Sequence, residues 1–457
     1  MTWIDHLLTA VSLDGAVPAG VAGIAMIIAA LALAALAAFA HSPARPRRGV
    51  LRALASVAVG VVLTVVARIV VEDLWKPYPD VLPLATWAVI GCGVAGIALA
   101  VTAVGRRGAR TRKKMALRSL SAVVCGVILV IGSAALVNVQ FAAYPNAGAL
   151  FGVDGFDTED PATALAPRDK TVAAGPGETI AQALPADWST PSGERPTEGV
   201  VTDVAIPGEL SHFPARTAKI YLPPAYFAEP RPELPVVVAM AGEPGSPEDW
   251  TTSLQMPQVM NSFAADNNGI APIVVVADPI AERLGNTLCV DSPRGNADTY
   301  LAQDVPNWID NHLQASTDHG QWAVAGYSFG GTCAVQLALA HPELYPNFLA
   351  MSPQQEPTIG TRAETIDAFF GGDANAFSRH NPLDILAAHS FPELHGSYAV
   401  GADDAEYRPA TEVLAAASKK AGIDVQSQEL PGGHDYSLWH NALKENLPWL
   451  SHSLRLA

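Results

Sequence analysis

The sequence predicts an α/β fold, a mostly parallel central sheet with helices on both faces, preceded by a transmembrane domain of four helices. Three observations carry that prediction. After about residue 200, short apolar runs alternate with helical patterns. A glycine-flanked serine, Gly326-Tyr327-Ser328-Phe329-Gly330, stands between one such run and a helix. Residues 1–140 contain four long apolar stretches, at about 17–40, 51–71, 83–105 and 117–140.

Each of these stretches is long enough to cross a hydrocarbon core of about 30 Å as a helix. The first reads as a span and not as a cleaved leader. Its apolar run is too long, no Lys or Arg precedes it, and three more spans follow. Loop charge sets the orientation. The loop after the first span carries Arg45, Arg47, Arg48 and Arg52. The loop after the third carries Arg106, Arg107, Arg110, Arg112, Lys113, Lys114 and Arg118. Between spans two and three stand Glu72, Asp73 and Asp80 against Lys76. Basic loops stay in the cytoplasm, so the N-terminus and everything after residue 140 are expected outside it. Arg68, near the outer end of span two, is expected to snorkel to the interface.

Charge divides the chain at the same place. Residues 1–140 hold 13 Lys+Arg and 5 Asp+Glu, leaving 15 and 39 for the remainder. Net charges of +8 and −24 follow, against −16 for the whole. So acidic a domain repels nucleic acid and anionic head groups, and its charge reads as a solubility device.

Residues 141–199 are rich in Pro, Gly, Ala, Thr and Asp and show no period, which predicts an extracytoplasmic linker, either a tether or a loosely packed cover over the membrane-proximal face. The catalytic domain is expected over 200–457. Strands are expected at 199–206, 217–222, 234–240, 270–277, 321–326, 397–401 and 425–430. An amphipathic helix is expected over 300–314, and another from Ser328 through Ala340.

The serine motif is a G-x-S-x-G sequence with a buried strand before it and a helix after it. That is the context of a nucleophile elbow and predicts the α/β-hydrolase fold with Ser328 as nucleophile. In that fold the base comes last in the chain, after an acid. His434, in Glu429-Leu430-Pro431-Gly432-Gly433-His434-Asp435-Tyr436, follows the last strand and a tight turn. His341, His380, His389, His395 and His440 compete with it but lack that position. The acid follows the preceding strand, where Asp404 is the first choice and Asp403 and Glu406 are alternates. Its role is to hold the imidazole tautomer. The oxyanion hole needs two backbone donors. Phe329 N–H supplies one. Glu243 N–H, in Ala241-Gly242-Glu243-Pro244-Gly245-Ser246, is expected to supply the other, since Pro244 has none. The alternative is that this loop is only a turn.

The segments GYSFGG, AGEPGS and PGGHDYSLW together resemble the putative esterase family. That family includes esterase D, enterochelin esterases, feruloyl esterases and the secreted mycolyltransferases of actinobacteria. The resemblance covers about residues 200–455, and the spacing from His434 to Trp439 is similar to the mycolyltransferase ending. It implies ester hydrolysis or acyl transfer without metal or other cofactor. The four spans depart from the secreted members. The Ala-rich, Lys-poor composition points to a high-GC actinobacterium.

Of the four cysteines, Cys92 and Cys125 lie within spans and are expected to be small packing residues. Cys333 is on the helix after Ser328 and Cys289 on the loop after the 270–277 strand. In an oxidising compartment these predict a Cys289–Cys333 disulfide, the alternative being two buried thiols. No Cys/His cluster has metal-ligand spacing.

These readings converge on a multi-pass cell-membrane protein with an extracytoplasmic serine esterase domain, acting on a lipid-linked or cell-envelope ester. The alternatives are a cell-envelope acyltransferase with the same triad and a non-catalytic membrane scaffold. No nucleic-acid partner is expected.

Overall fold

The computed structural model describes residues 3–38, 46–77, 81–104, 112–175 and 177–456. The chain divides into two compact units, Met1–Val153 and Asp154–Ala457.

The first unit is helical. A short helix α1 (Trp3–Ala10) precedes four long ones: α2 (Ala16–Ala38), α3 (Pro46–Ile69), α4 (Leu84–Ala103) and α5 (Arg112–Phe141). All four long helices, α3 counted with its continuation to Trp75, are long and apolar enough to cross a membrane. They pack through small residues. A Cβ at Gly60 would lie 2.6 Å from Ala95 Cα, and one at Gly96 would lie 2.7 Å from Leu129 Cδ1. Close approach of this kind is how apolar helices associate where water supplies no driving force. Large aliphatic side chains cover the outside, among them Ile24, Ile28, Leu31, Val62 and Ile131. A surface so apolar is suited to lipid and not to water.

The basic residues Arg47, Arg48 and Arg52 belong to α3, and Arg112, Lys113, Lys114 and Arg118 to α5, each set at the helix start. Arg45, Arg106, Arg107, Arg110 and Asp80 lie outside the described residues. Arg68 is paired with Glu72 at 2.7 Å, and Glu72 also accepts from Trp87 Nε1 at 2.6 Å. Arg68 thus has an acidic partner four residues along the chain. Cys125 is partly buried against the apolar cluster of the unit, whereas Cys92 is exposed, a departure from the packing role expected of both.

The second unit is built on a nine-stranded sheet. Its strands are β1 (Asp157–Thr158), β2 (Val200–Val204), β3 (Ala218–Leu222), β4 (Val236–Met240), β5 (Ile273–Ala277), β6 (Trp322–Tyr327), β7 (Asn347–Met351), β8 (His395–Gly401) and β9 (Asp424–Leu430). Their spatial order is β1-β2-β3-β5-β4-β6-β7-β8-β9. Only the pairs made by β3, with β2 and β5, are antiparallel. Continuous apolar runs fit the centre of this sheet because both faces are covered. Along β6, Trp322 and Val324 enter one core while Ala323, Ala325 and Tyr327 enter the other. Helices α6 (Phe329–Ala340), α7 (Tyr407–Lys420) and α8 (Tyr436–Ser453) follow β6, β8 and β9.

Three details differ from the sequence expectation. Residues 154–199 are not a free tether but part of the second unit. β1 pairs with β2, and Ala164, Ile180, Leu184 and Trp188 are buried in its core. The buried Arg231 donates to Ala166 O and to Gln314 Oε1, and Gln314 in turn bonds both backbone groups of Arg168. These are tertiary partners, so the segment needs no period of its own. Secondly, β7 was not among the expected strands, being five residues without alternation. Thirdly, the helix expected over 300–314 is a π-helical stretch, Tyr300–Asp304, continued by an α-helix, Val305–His312.

Cys289 and Cys333 form a disulfide with Cα atoms 5.6 Å apart and a sequence separation of 44. A free-thiol count on the denatured, non-reduced protein is expected to return two, from Cys92 and Cys125. Replacing Cys289 and Cys333 by Ser together is expected to lower unfolding stability by about 4 kcal/mol, the loop-closure value for that separation. Denaturant melts of the full-length protein read this, and an unchanged midpoint would show the bridge to be dispensable.

Candidate active site

The site is assembled at the carboxyl edge of the sheet, and it starts from a strained turn. Ser328, between β6 and α6, has φ 54° and ψ −123°. A non-glycine residue there costs roughly 1–3 kcal/mol and persists only when its surroundings enforce it. Here Ser328 N–H donates to Met351 O at 2.8 Å. The flanking glycines are obligatory. A Cβ at Gly326 would stand 2.1 Å from Gly330 O, and one at Gly330 would stand 2.2 Å from Met240 O. The turn thus lifts the serine hydroxyl to the sheet edge, with the N-terminus of α6 behind it favouring negative charge.

His434 reaches this hydroxyl from the loop after β9. Its Nε2 lies 2.9 Å from Ser328 Oγ, and its Nδ1 lies 2.8 Å from Asp404 Oδ2. The bond to Asp404 fixes the tautomer: Nδ1 carries the proton, leaving Nε2 to accept from the serine. Asp404 Oδ1 accepts from the Tyr407 N–H at 3.0 Å. Of the three acids after β8, Asp404 is buried, while Asp403 and Glu406 are exposed.

Three further residues hold the imidazole. The Tyr407 ring stacks on it with centroids 3.9 Å apart, and Trp439 meets it edge-on at 5.0 Å. Asp435 accepts from Gly433 N–H at 2.8 Å and Leu438 N–H at 2.9 Å, capping α8 and bracing the turn that carries His434. The Asp435 cap was legible as an acid just before a helix. Tyr407 left no comparable signal, since a stacked ring depends on the fold.

The competing histidines lie elsewhere. His341 pairs with Asp298 at 3.0 Å, and that hydrogen bond holds its pKa above the ordinary value. Burial pushes His380 down. His440 Nδ1 meets Leu254 O at 2.9 Å, and His395 faces Asp424 at 3.5 Å. His389 stacks edge-on against Phe391.

The loop after β4 closes the other side. A Cβ at Gly242 would lie 3.1 Å from Ser328 Cβ and 3.0 Å from Tyr327 Cε2, so a side chain there would require its neighbours to give by a few tenths of an ångström. Glu243 follows it and is joined to Pro244 by a cis peptide. Asp249 ties the loop down by accepting the Ser246 N–H at 2.9 Å. Burial raises the pKa of Asp249, opposed chiefly by the charge of Arg283. Below it, Tyr327 stacks on Trp439 at 4.4 Å. Phe329 opens α6 beside Ser328, and the Cys289–Cys333 bridge ties α6 to the loop after β5.

Such an arrangement can deprotonate a hydroxyl, hold the resulting imidazolium and accept an acyl group on oxygen. The family profile described as "Putative esterase" matches residues 214–450. An uncharacterized protein of Corynebacterium glutamicum is 35% identical over 419 residues, covering 89% of this chain and 90% of its own. Among solved structures, a ferulic acid esterase is similar at 19% identity and TM-score 0.49, over 56% of this chain and 99% of that one. An S-formylglutathione hydrolase from Agrobacterium tumefaciens is similar at 19% identity and TM-score 0.47, over 58% and 98%. The family match spans the elbow, the acid and the histidine, and the chain belongs to the putative esterase family, as a serine hydrolase of the α/β-hydrolase fold.

Proposed function

We propose that this protein is a membrane-anchored serine esterase whose catalytic unit, Asp154–Ala457, works outside the cytoplasm on a lipid-linked or envelope ester. The observation that carries the reading is the hydrogen-bonded line Asp404–His434–Ser328, at 2.8 and 2.9 Å, in a chain of an esterase family. In this reading Ser328 Oγ attacks the ester carbonyl carbon while His434 Nε2 takes its proton. Asp404 keeps the imidazolium oriented and stabilised. The N–H groups of Phe329 and Glu243 receive the oxyanion. Collapse breaks the bond to the alcohol, which leaves with the proton from His434. Water, deprotonated by the same imidazole, then attacks the acyl-enzyme and frees Ser328. An acceptor hydroxyl in place of water would make the second step a transfer.

Charge supports the placement. Basic residues gather at the starts of α3 and α5, and Glu72 and Asp73 at the opposite end of α3 and its continuation. The positive-inside rule then leaves the chain after α5 outside. A disulfide in the catalytic unit agrees with an oxidising compartment. A site tethered beside a bilayer meets lipid and envelope esters first.

Four outcomes are expected. A fluorophosphonate probe should label the full-length protein, and Ser328→Ala should abolish labelling; unlabelled, folded wild type would sink the nucleophile. Asp404→Asn should lower kcat by about 10³–10⁴-fold, by the tautomer argument, whereas a loss under tenfold would point to another acid. Gly242→Ala should lower kcat at least tenfold through displacement of the loop, and unchanged turnover would remove that loop from the site. Ser192→Cys should react with a membrane-impermeant maleimide on intact cells, and reaction only after lysis would reverse the orientation.

A further inference from the structure

The loop that closes the site carries an acidic side chain at the residue read as oxyanion donor. Glu243 is only 8% exposed. Its Oε2 accepts a hydrogen bond from Asn286 Nδ2. The other end of that amide, Asn286 Oδ1, accepts from the Leu288 N–H at 2.9 Å. Both ends are therefore committed, and a flipped amide would set oxygen against carboxylate and nitrogen against N–H.

Asn286 begins a ledge that is held under strain. Leu288 and Cys289 take φ 54° and 52° in succession, the left-handed region that side chains other than glycine disfavour. Several ties enforce it. Thr287 Oγ1 donates to Pro279 O at 2.7 Å and accepts from Cys289 N–H at 3.1 Å. Gln336 Nε2 donates to Leu288 O at 3.0 Å, and Cys289 is bonded to Cys333. Gln336 and Cys333 both belong to α6, the helix that Phe329 opens. The ledge is thus tied to that helix.

We propose that Asn286 is a positioning residue for the oxyanion hole. It couples the loop carrying Glu243 N–H to the helix carrying Phe329 N–H, so that the two donors keep one spacing. The inference rests on the reading of Ser328 as nucleophile and of these two N–H groups as donors. Preorganised donors are effective because they do not rearrange as charge develops. A carboxylate beside a forming oxyanion opposes it by repulsion, and the Asn286 bond also fixes where that carboxylate points. The disulfide and the strained ledge gain a purpose at the site: they anchor the far end of this coupling.

The test uses the full-length protein in detergent, with p-nitrophenyl butyrate as substrate and active sites titrated by a fluorophosphonate. Asn286→Asp keeps the shape and the bond from Leu288 N–H but sets carboxylate against carboxylate. Its kcat per titrated site is expected to fall at least tenfold with KM within threefold. Adding Glu243→Gln rebuilds the bond with reversed polarity and is expected to raise kcat at least fivefold over Asn286→Asp alone. A kcat per site within twofold of wild type, or a double variant no faster than the single one, would overturn the proposal. So would a fall confined to the number of titrated sites, the mark of a merely structural role. Should Asn286→Asp not accumulate folded, Asn286→Ser deletes the donor without adding charge and is judged by kcat per site. Turnover that survives Ser328→Ala would strike the underlying reading itself, and is told apart from the other outcomes because it leaves the ledge variants out of account.

Discussion

One backbone conformation governs the catalytic unit: the φ 54° turn at Ser328. Nothing local favours it, so everything around it is arranged to enforce it. Strand β6 enters the turn from the centre of the sheet, with β4 and β7 on either side. Those neighbours supply backbone groups against which Gly330 and Gly331 pack, while Gly326 packs against the backbone of Gly330 and Gly331. Met351 O, at the end of β7, accepts the serine's own N–H. The parallel β4-β6-β7 centre of the sheet thus frames the turn at this one residue.

From this turn the rest of the site follows by reach. His434 has to return from the last strand, which the Gly432–Gly433 turn and the Asp435 cap allow. The imidazole is then limited by Asp404 at one nitrogen, by Tyr407 on one face and by the Trp439 edge. Each limit comes from a different element: the loop after β8, the start of α7 and the first turns of α8. The pair Ser328–His434 is 106 residues apart in the chain, so its 2.9 Å contact depends on the whole sheet edge being in register.

Much of this was legible in the residues, and the exceptions share a cause. The elbow, the histidine after the last strand, the acid after the one before it and the cysteine pair all leave marks in short windows, because local turns and compartment demand particular residue types. The packing of residues 154–199 left none, since Ile180, Leu184 and Trp188 are scattered apolar residues buried by distant partners. Strand β7 was hidden for a related reason: five buried residues too short to show a period. Tyr407 and Asn286 act through rings and amides brought together by the fold. Sequence windows record what a residue needs from its neighbours in the chain, and these residues draw on neighbours in space.

The two halves of the chain also stand in an electrostatic opposition that bears on why one protein contains both. Residues 141–457 carry 39 acidic against 15 basic residues. A free domain of that charge would be repelled by an anionic membrane surface, over a Debye length of about 8 Å at physiological salt. In the proposed reading, anchoring of the chain in a bilayer through the four apolar helices removes the need for attraction. On that reading, encounter with a surface-bound ester is intramolecular and takes place at a raised effective concentration. On the proposed reading the acidity and the spans are complementary: the one opposes adsorption on anionic head groups, and the other holds the chain to the bilayer. The proposed chemistry draws on Ser328, His434 and Asp404, all of them within Asp154–Ala457.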